Sequence, residues 1–211
     1  MSDTSNTITH TKINYGRLAK PYAILASQLI ITALVVSYFR KHQVFITGWS
    51  LLFLFIFGFF LLYLMMKPYF SMFEKMMYFT MFSIVLGGLC IATLPIFSWR
   101  SIKTALISVL CIFVIMSIIG VMCHVFDIDL GPLSFVLFIG LLGLIVGMIL
   151  SFWFKIEHKY LFGFGILIFT LLIATDTNRM LNRVYEDPVS DAVSLYLDII
   201  NLFQHLLSFK K

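Results

Sequence analysis

Seven long apolar runs constrain this chain more than any other feature, and they leave a lipid bilayer as its solvent. They fall at about Pro21 to Phe39, Val44 to Met66, Met76 to Phe97, Thr104 to Val125, Leu133 to Phe154, Leu161 to Thr175 and Ala192 to Phe209. Most approach the roughly 17 to 25 residues that a helix needs to cross a hydrocarbon core of about 30 Å. Of 211 residues, 61% are apolar and 12% charged. A single soluble core cannot absorb that much apolar surface, since soluble domains carry about a quarter charged residues. The expected fold is all-α: a polytopic bundle of seven transmembrane helices.

The polar breaks between the runs are too short to fold alone, so residues 21–209 read as one transmembrane domain. Residues 1–20 form a polar tail without an apolar leader segment, and Lys210 and Lys211 make a basic end. Lys and Arg divide almost evenly between the two sides of the membrane, so charge bias gives no orientation. The net charge of +5 is scattered over the loops. Nucleic acid is therefore not an expected partner, whereas anionic headgroups at the helix ends are.

Cys90, Cys111 and Cys123 lie in or beside apolar runs without CxxC spacing, and His124 adjoins Cys123. They read as packing residues, not metal ligands. Gly140, Gly143 and Gly147 in the fifth run suit close helix approach. Gly163 and Gly165 follow no strand, which excludes a dinucleotide fingerprint.

The last run departs from its apolar character at Asp191, Ser194, Asp198, Asn201 and His205. Steps of three and four place these on one helical face. A central Asp facing lipid costs about 2.5–3.5 kcal/mol, so the stripe is expected to face other helices or water. The opposite face, Val193, Tyr196, Ile200, Phe203 and Leu207, can meet lipid or apolar neighbours, and His205 is expected at the interface.

Asp176 closes the sixth run, one short loop before the seventh, so the two helices are expected to be antiparallel neighbours. Asp176 then sits near the loop and Asp198 about two turns deeper, and a tilt or break is needed to bring them level. Two carboxylates a few Å apart in a dry site cannot both carry charge cheaply and hold a proton between them. Ser194 and Asn201 are candidates for lining the polar seam.

Ser194-Leu195-Tyr196-Leu197-Asp198-Ile199-Ile200-Asn201-Leu202-Phe203, followed by Leu206 and Leu207, resembles the closing signature of the transmembrane Bax-inhibitor-motif family. Asp176-Thr177-Asn178-Arg179-Met180 resembles that family's aspartate motif at the end of its sixth helix, and Gly88-Leu89 and Pro95-Ile96 are more loosely similar. The resemblance implies a seven-helix fold with the last helix near the centre, a cytoplasmic N-terminus and a pH-sensitive calcium leak. In eukaryotic and viral members it also implies suppression of cell death. It places the pH-sensing pair on Asp176 and Asp198, which would also meet calcium transiently. Some members latch one aspartate with an arginine at the end of helix two, and this chain offers Lys67 near that point. Lysine lacks the bidentate fork, so a weaker latch is expected.

The expected function is thus a proton-gated calcium leak without a resident cofactor or enzymatic reaction, in either a bacterial inner membrane or an endoplasmic reticulum or Golgi membrane. The main alternative is a non-conducting regulator that binds other membrane proteins. An intramembrane aspartyl protease fits poorly: Gly163-Phe164-Gly165 is followed by Ile166, not Asp, and Tyr196 stands two residues before Asp198.

Overall fold

The computed structural model describes residues 15–43, 46, 48–154, 157–183 and 187–209, and among them every regular element is helical. Seven α-helices follow in order: α1 (Tyr15–Lys41), α2 (Trp49–Met65), α3 (Met72–Thr93), α4 (Trp99–Val125), α5 (Gly131–Phe154), α6 (His158–Asn182) and α7 (Pro188–Phe209). All but α2 are long and apolar enough to cross a membrane; α2 is equally apolar but has 17 residues. The protein is a polytopic membrane bundle. The expected 1–20 tail lies outside the described residues as far as 14, and from Tyr15 onward it is already part of α1. Lys210 and Lys211 also lie outside them.

Local sequence sets the helix ends. Ser71 and Glu74 form a capping box that starts α3, with the Ser71 amide donating to Glu74 Oε2 at 2.7 Å and the Glu74 amide to Ser71 Oγ at 3.3 Å. Ser98 caps α4 by accepting from the Ser101 amide at 3.2 Å. Pro188 opens α7 in the position where a missing amide costs nothing, and Asp187 Oδ1 accepts from the Ser190 amide at 3.1 Å. Between α3 and α4, Leu94–Ile96 makes one 3₁₀ turn.

Apolar burial does little to drive helix association in lipid, because hydrocarbon is as apolar as leucine. Close packing and polar partnering select the centre instead, and α7 holds it. This helix packs on α6 most extensively, and also on α1, α4 and α3. Of the two surroundings open to its apolar face, lipid or other apolar side chains, the structure shows the second: Tyr196 and Leu207 are 0% exposed. The Tyr196 ring stands edge-on to Phe79 and Phe82, and its hydroxyl meets that of Thr32 on α1. By contrast α2, which packs on α3, turns Phe53, Phe55, Phe59 and Phe60 outward, as a lipid-facing helix does.

Two glycines set helix spacing. A Cβ on Gly120 of α4 would lie 2.5 Å from the Ala174 carbonyl oxygen of α6. A Cβ on Gly165 of α6 would lie 2.6 Å from Cε1 of His205. In α5, Gly140 and Gly147 face Ile168 and Leu161 of α6, whereas nothing lies within 4 Å of a Cβ on Gly143.

Candidate functional site: the carboxylates between α6 and α7

The geometry of the site follows from where α6 ends. Apolar sequence stops at Thr175, but the helix continues to Asn182 because the polar residues beyond it find partners inside the protein. Thr177 Oγ1 donates to the Ile173 carbonyl at 2.9 Å and lies 3.1 Å from the Tyr22 hydroxyl of α1. Asn178 Nδ2 donates to the Ile128 carbonyl at 3.2 Å, and its Oδ1 accepts from the Leu130 amide at 3.2 Å, so this residue holds the turn between α4 and α5.

The extension reduces the difference in level expected from the sequence to about one turn. Asp176 precedes the α6 terminus by six residues, about 9 Å of rise, and Ser194 follows the α7 start by six, about 9 Å as well. The two are therefore opposite one another in an antiparallel pair. Asp198 is one further turn in, at about 15 Å. No break in α6 or α7 is needed.

Asp176 is 4% exposed and Asp198 5%. Arg179, one turn along α6, places Nη2 3.0 Å from Asp176 Oδ1 and donates from the same nitrogen to Ser194 Oγ at 3.2 Å. Asp198 lies within the electrostatic reach of both Asp176 and Arg179, and its Oδ2 is buried without a hydrogen-bond partner. The structure thus brings Asp176 and Ser194 to one guanidinium nitrogen, with Asp198 within its electrostatic reach. Asn201 is half-buried on α7, three residues beyond Asp198.

Lys67 is elsewhere. It lies in the turn after α2, with its ammonium 4.1 Å from the centre of the Tyr63 ring. Its hydrogen bond with Tyr63 favours the charged form and raises its pKa above the ordinary lysine value. The cation that meets the aspartate is Arg179, with a guanidinium fork that lysine lacks.

An outer layer of charge closes the loop end of the site. Arg183 Nη1 pairs with Asp191 Oδ1 at 3.0 Å, and Lys75 of α3, with its side chain 9% exposed, reaches Asp187 Oδ2 at 2.6 Å. Arg17 of α1 donates to the carbonyls of Leu181 and Arg183 at 3.0 and 3.1 Å. Sequence reasoning passed over Arg179, Arg183, Lys75 and Asp187. The signal for Arg179 was present, since i and i+3 share a helical face, but it vanishes if the helix is ended at Thr175.

His205, about one turn before the end of α7, is packed inside the bundle. It is 7% exposed, stacks on Phe169 with 5.4 Å between ring centres, and occupies the space Gly165 leaves. The three cysteines are free, and Cys90 Sγ accepts from Gln204 Nε2 at 3.4 Å. Among the described residues, no group of three or more His, Cys, Asp or Glu side chains is placed to hold a metal ion.

Comparison with known proteins agrees with this architecture. The family model described as "Inhibitor of apoptosis-promoting Bax1" matches residues 16–210. Bax inhibitor 1 of Schizosaccharomyces pombe is 31% identical over 207 residues, covering 92% of this chain and 76% of that protein. An uncharacterized protein of Caulobacter vibrioides is 44% identical over 94 residues, 38% of this chain and 37% of that one. An uncharacterized membrane protein of Streptococcus pyogenes is 30% identical over 151 residues, 66% of this chain and 60% of that one. With a match that runs from the first helix through the last, the chain belongs to the Bax inhibitor family of membrane proteins.

Proposed function

We propose that the protein is a cation leak, with calcium the favoured ion, opened by protonation of the site formed by Asp176 and Asp198. One observation carries this reading: two buried carboxylates lie within each other's field on adjacent helices, and only Asp176 is in contact with the Arg179 guanidinium. Two charged carboxylates and one Arg179 leave an excess negative charge in a poorly hydrated place, which a proton or a passing cation neutralises. Arg179 joins Asp176 to Ser194 and so ties α6 to α7 while the carboxylates are charged. Protonation removes the charge that holds the guanidinium, and α7 loses its tie.

Calcium takes six to eight oxygen ligands in a stable site. Two carboxylates supply too few to retain it, which suits an ion in transit. Selectivity for a hard divalent cation follows from carboxylate and carbonyl oxygens along the path.

Protein-only liposomes loaded with a calcium indicator test the proposal. The wild-type protein is expected to leak faster as the pH falls, and Asp198→Asn to leak without that dependence. A second reading, a non-conducting regulator of other membrane proteins, draws on the name of the Schizosaccharomyces pombe relative, which describes inhibition of another protein. Absence of flux at every pH in protein-only vesicles would favour it.

A further inference from the structure

We propose that the end of the bundle opposite the aspartates binds the headgroup of an anionic phospholipid, on a platform built from Arg40, Trp99 and Lys103. Arg40, in the last turn of α1, places Cζ 4.8 Å from the centre of the Trp99 ring. Lys103, one turn into α4, places Nζ 5.4 Å from the centre of the same ring. Two like charges from separate helices therefore share one aromatic side chain, and Lys41 and Arg100 lie next to them in sequence.

Among the described residues no ion pair balances this charge. Among the described residues no carboxylate forms an ion pair with Arg40, Lys41, Arg100 or Lys103, and the ion pairs present lie at the other end or within the α6–α7 site. Helix stabilisation accounts for Arg40 and Lys41, which stand at the negative end of α1, but not for Arg100 and Lys103. α4 begins with no acidic residue in its first turn, and cations gain nothing from the positive end of a helix dipole. Five acidic residues, Glu74, Asp127, Asp129, Asp187 and Asp191, lie at the loop end of the aspartate site, whereas Glu157, ahead of α6, is the one described acid at the platform end and pairs with none of these cations. The arrangement is electrostatically incomplete until an anion joins it.

The position identifies that anion. Trp99 is 53% exposed and begins a membrane-spanning helix, the depth at which indole rings meet headgroups. At that depth the abundant anion is a lipid phosphate. The fork of Arg40 suits its paired oxygens, and the Lys103 ammonium acts as a point charge beside it. A zwitterionic headgroup brings its own cation and gains less. The occupant is therefore an anionic diacyl lipid, held by its phosphate at the platform and by its chains against the exposed apolar faces of α1 and α4.

The test uses the full chain in detergent and measures binding by native mass spectrometry and Trp fluorescence. The probes are short-chain phosphatidylglycerol, short-chain phosphatidylcholine and inorganic phosphate. Phosphatidylglycerol is expected to bind at least ten-fold more tightly than phosphatidylcholine, and inorganic phosphate to compete weakly. Arg40→Gln with Lys103→Gln should weaken phosphatidylglycerol at least ten-fold, as each cation near an anionic surface contributes about five-fold. The control Lys20→Gln with Lys67→Gln, which removes the same charge at the other end, should weaken it less than two-fold. Arg40→Lys with Lys103→Arg, which keeps both charges and the surface fold, should retain binding. Equal affinity for the two lipids, equal loss in the control pair, or phosphate binding as tightly as the lipid would each overturn the proposal.

Discussion

Arg179 Nη2 lies 3.0 Å from Asp176 Oδ1 and 3.2 Å from Ser194 Oγ, so a single guanidinium nitrogen joins the sixth helix to the seventh. The pair is local in sequence, i and i+3, yet its effect is tertiary, because Ser194 stands at the same depth on the neighbouring helix. Asp198, one turn further in, shares the field of this guanidinium without a hydrogen bond at Oδ2. One cation thus serves two carboxylates unequally, and that inequality underlies the proposed response to protons.

Arg179→Gln should expose the dependence of Asp176 on its partner. The Arg179 side chain is 38% exposed, so solvent softens the loss, and destabilisation of about 1–3 kcal/mol is expected instead of the larger penalty for a fully buried pair. Thermal unfolding in detergent measures it. Adding Asp176→Asn should recover part of the loss, because the orphaned carboxylate goes with it. Additive destabilisation in the double variant would show that the two side chains do not act as a unit.

Gly120→Ala should destabilise the bundle by about 1–3 kcal/mol, since the new methyl group would meet the rigid Ala174 carbonyl at 2.5 Å. Gly143→Ala is the matched comparison in an equally apolar helix, with open space around the new Cβ. It should be neutral or slightly stabilising, because alanine is the better helix former by about 1 kcal/mol. Equal melting shifts in the two variants would contradict the close approach of α4 and α6.

Gly165→Ala should be costly while His205 is present and cheap once it is removed. The imidazole fills the space above Gly165, so a Cβ there forces the ring to move. His205→Ala combined with Gly165→Ala should be more stable than the sum of the single effects predicts, by about 1 kcal/mol, the scale of coupling between touching side chains. The readout is a double-mutant cycle on melting temperature in detergent.

Much of the fold was legible in the chain because lipid imposes a simple rule: an apolar run long enough to cross becomes a helix. The polar steps at Asp191, Ser194, Asp198, Asn201 and His205 marked α7 as a helix that needs protein around it. What the pattern hid was the reverse face. Tyr196, Phe203 and Leu207 are compatible with lipid by type, and only the packing of α1 and α3 against them shows that α7 is enclosed.

The site was half legible for a related reason. Hydropathy marks where apolar sequence stops, not where a helix stops, and Thr177 to Asn182 remain helical because Tyr22 and the turn between α4 and α5 supply partners from distant sequence. With α6 ended at Thr175, Asp176 stood at a loop and Arg179 outside the helix. The family resemblance points instead to Lys67 at the end of helix two, which the structure places against Tyr63. The fit of His205 over Gly165 was also hidden, because it pairs two helices whose relative register no local pattern records.

The most direct test of the central claim is calcium efflux from protein-only liposomes, followed between pH 8 and pH 5 for the wild type, Asp176→Asn and Asp198→Asn. The wild-type rate should rise with acidity, because a proton on the pair releases Arg179. Asp176→Asn removes the charge that holds Arg179, so it should leak at high pH about as fast as the wild type does at low pH, and Asp198→Asn, which removes the excess charge of the pair, should lose the rise with acidity. Wild-type and variant profiles that rise together with acidity would contradict the account.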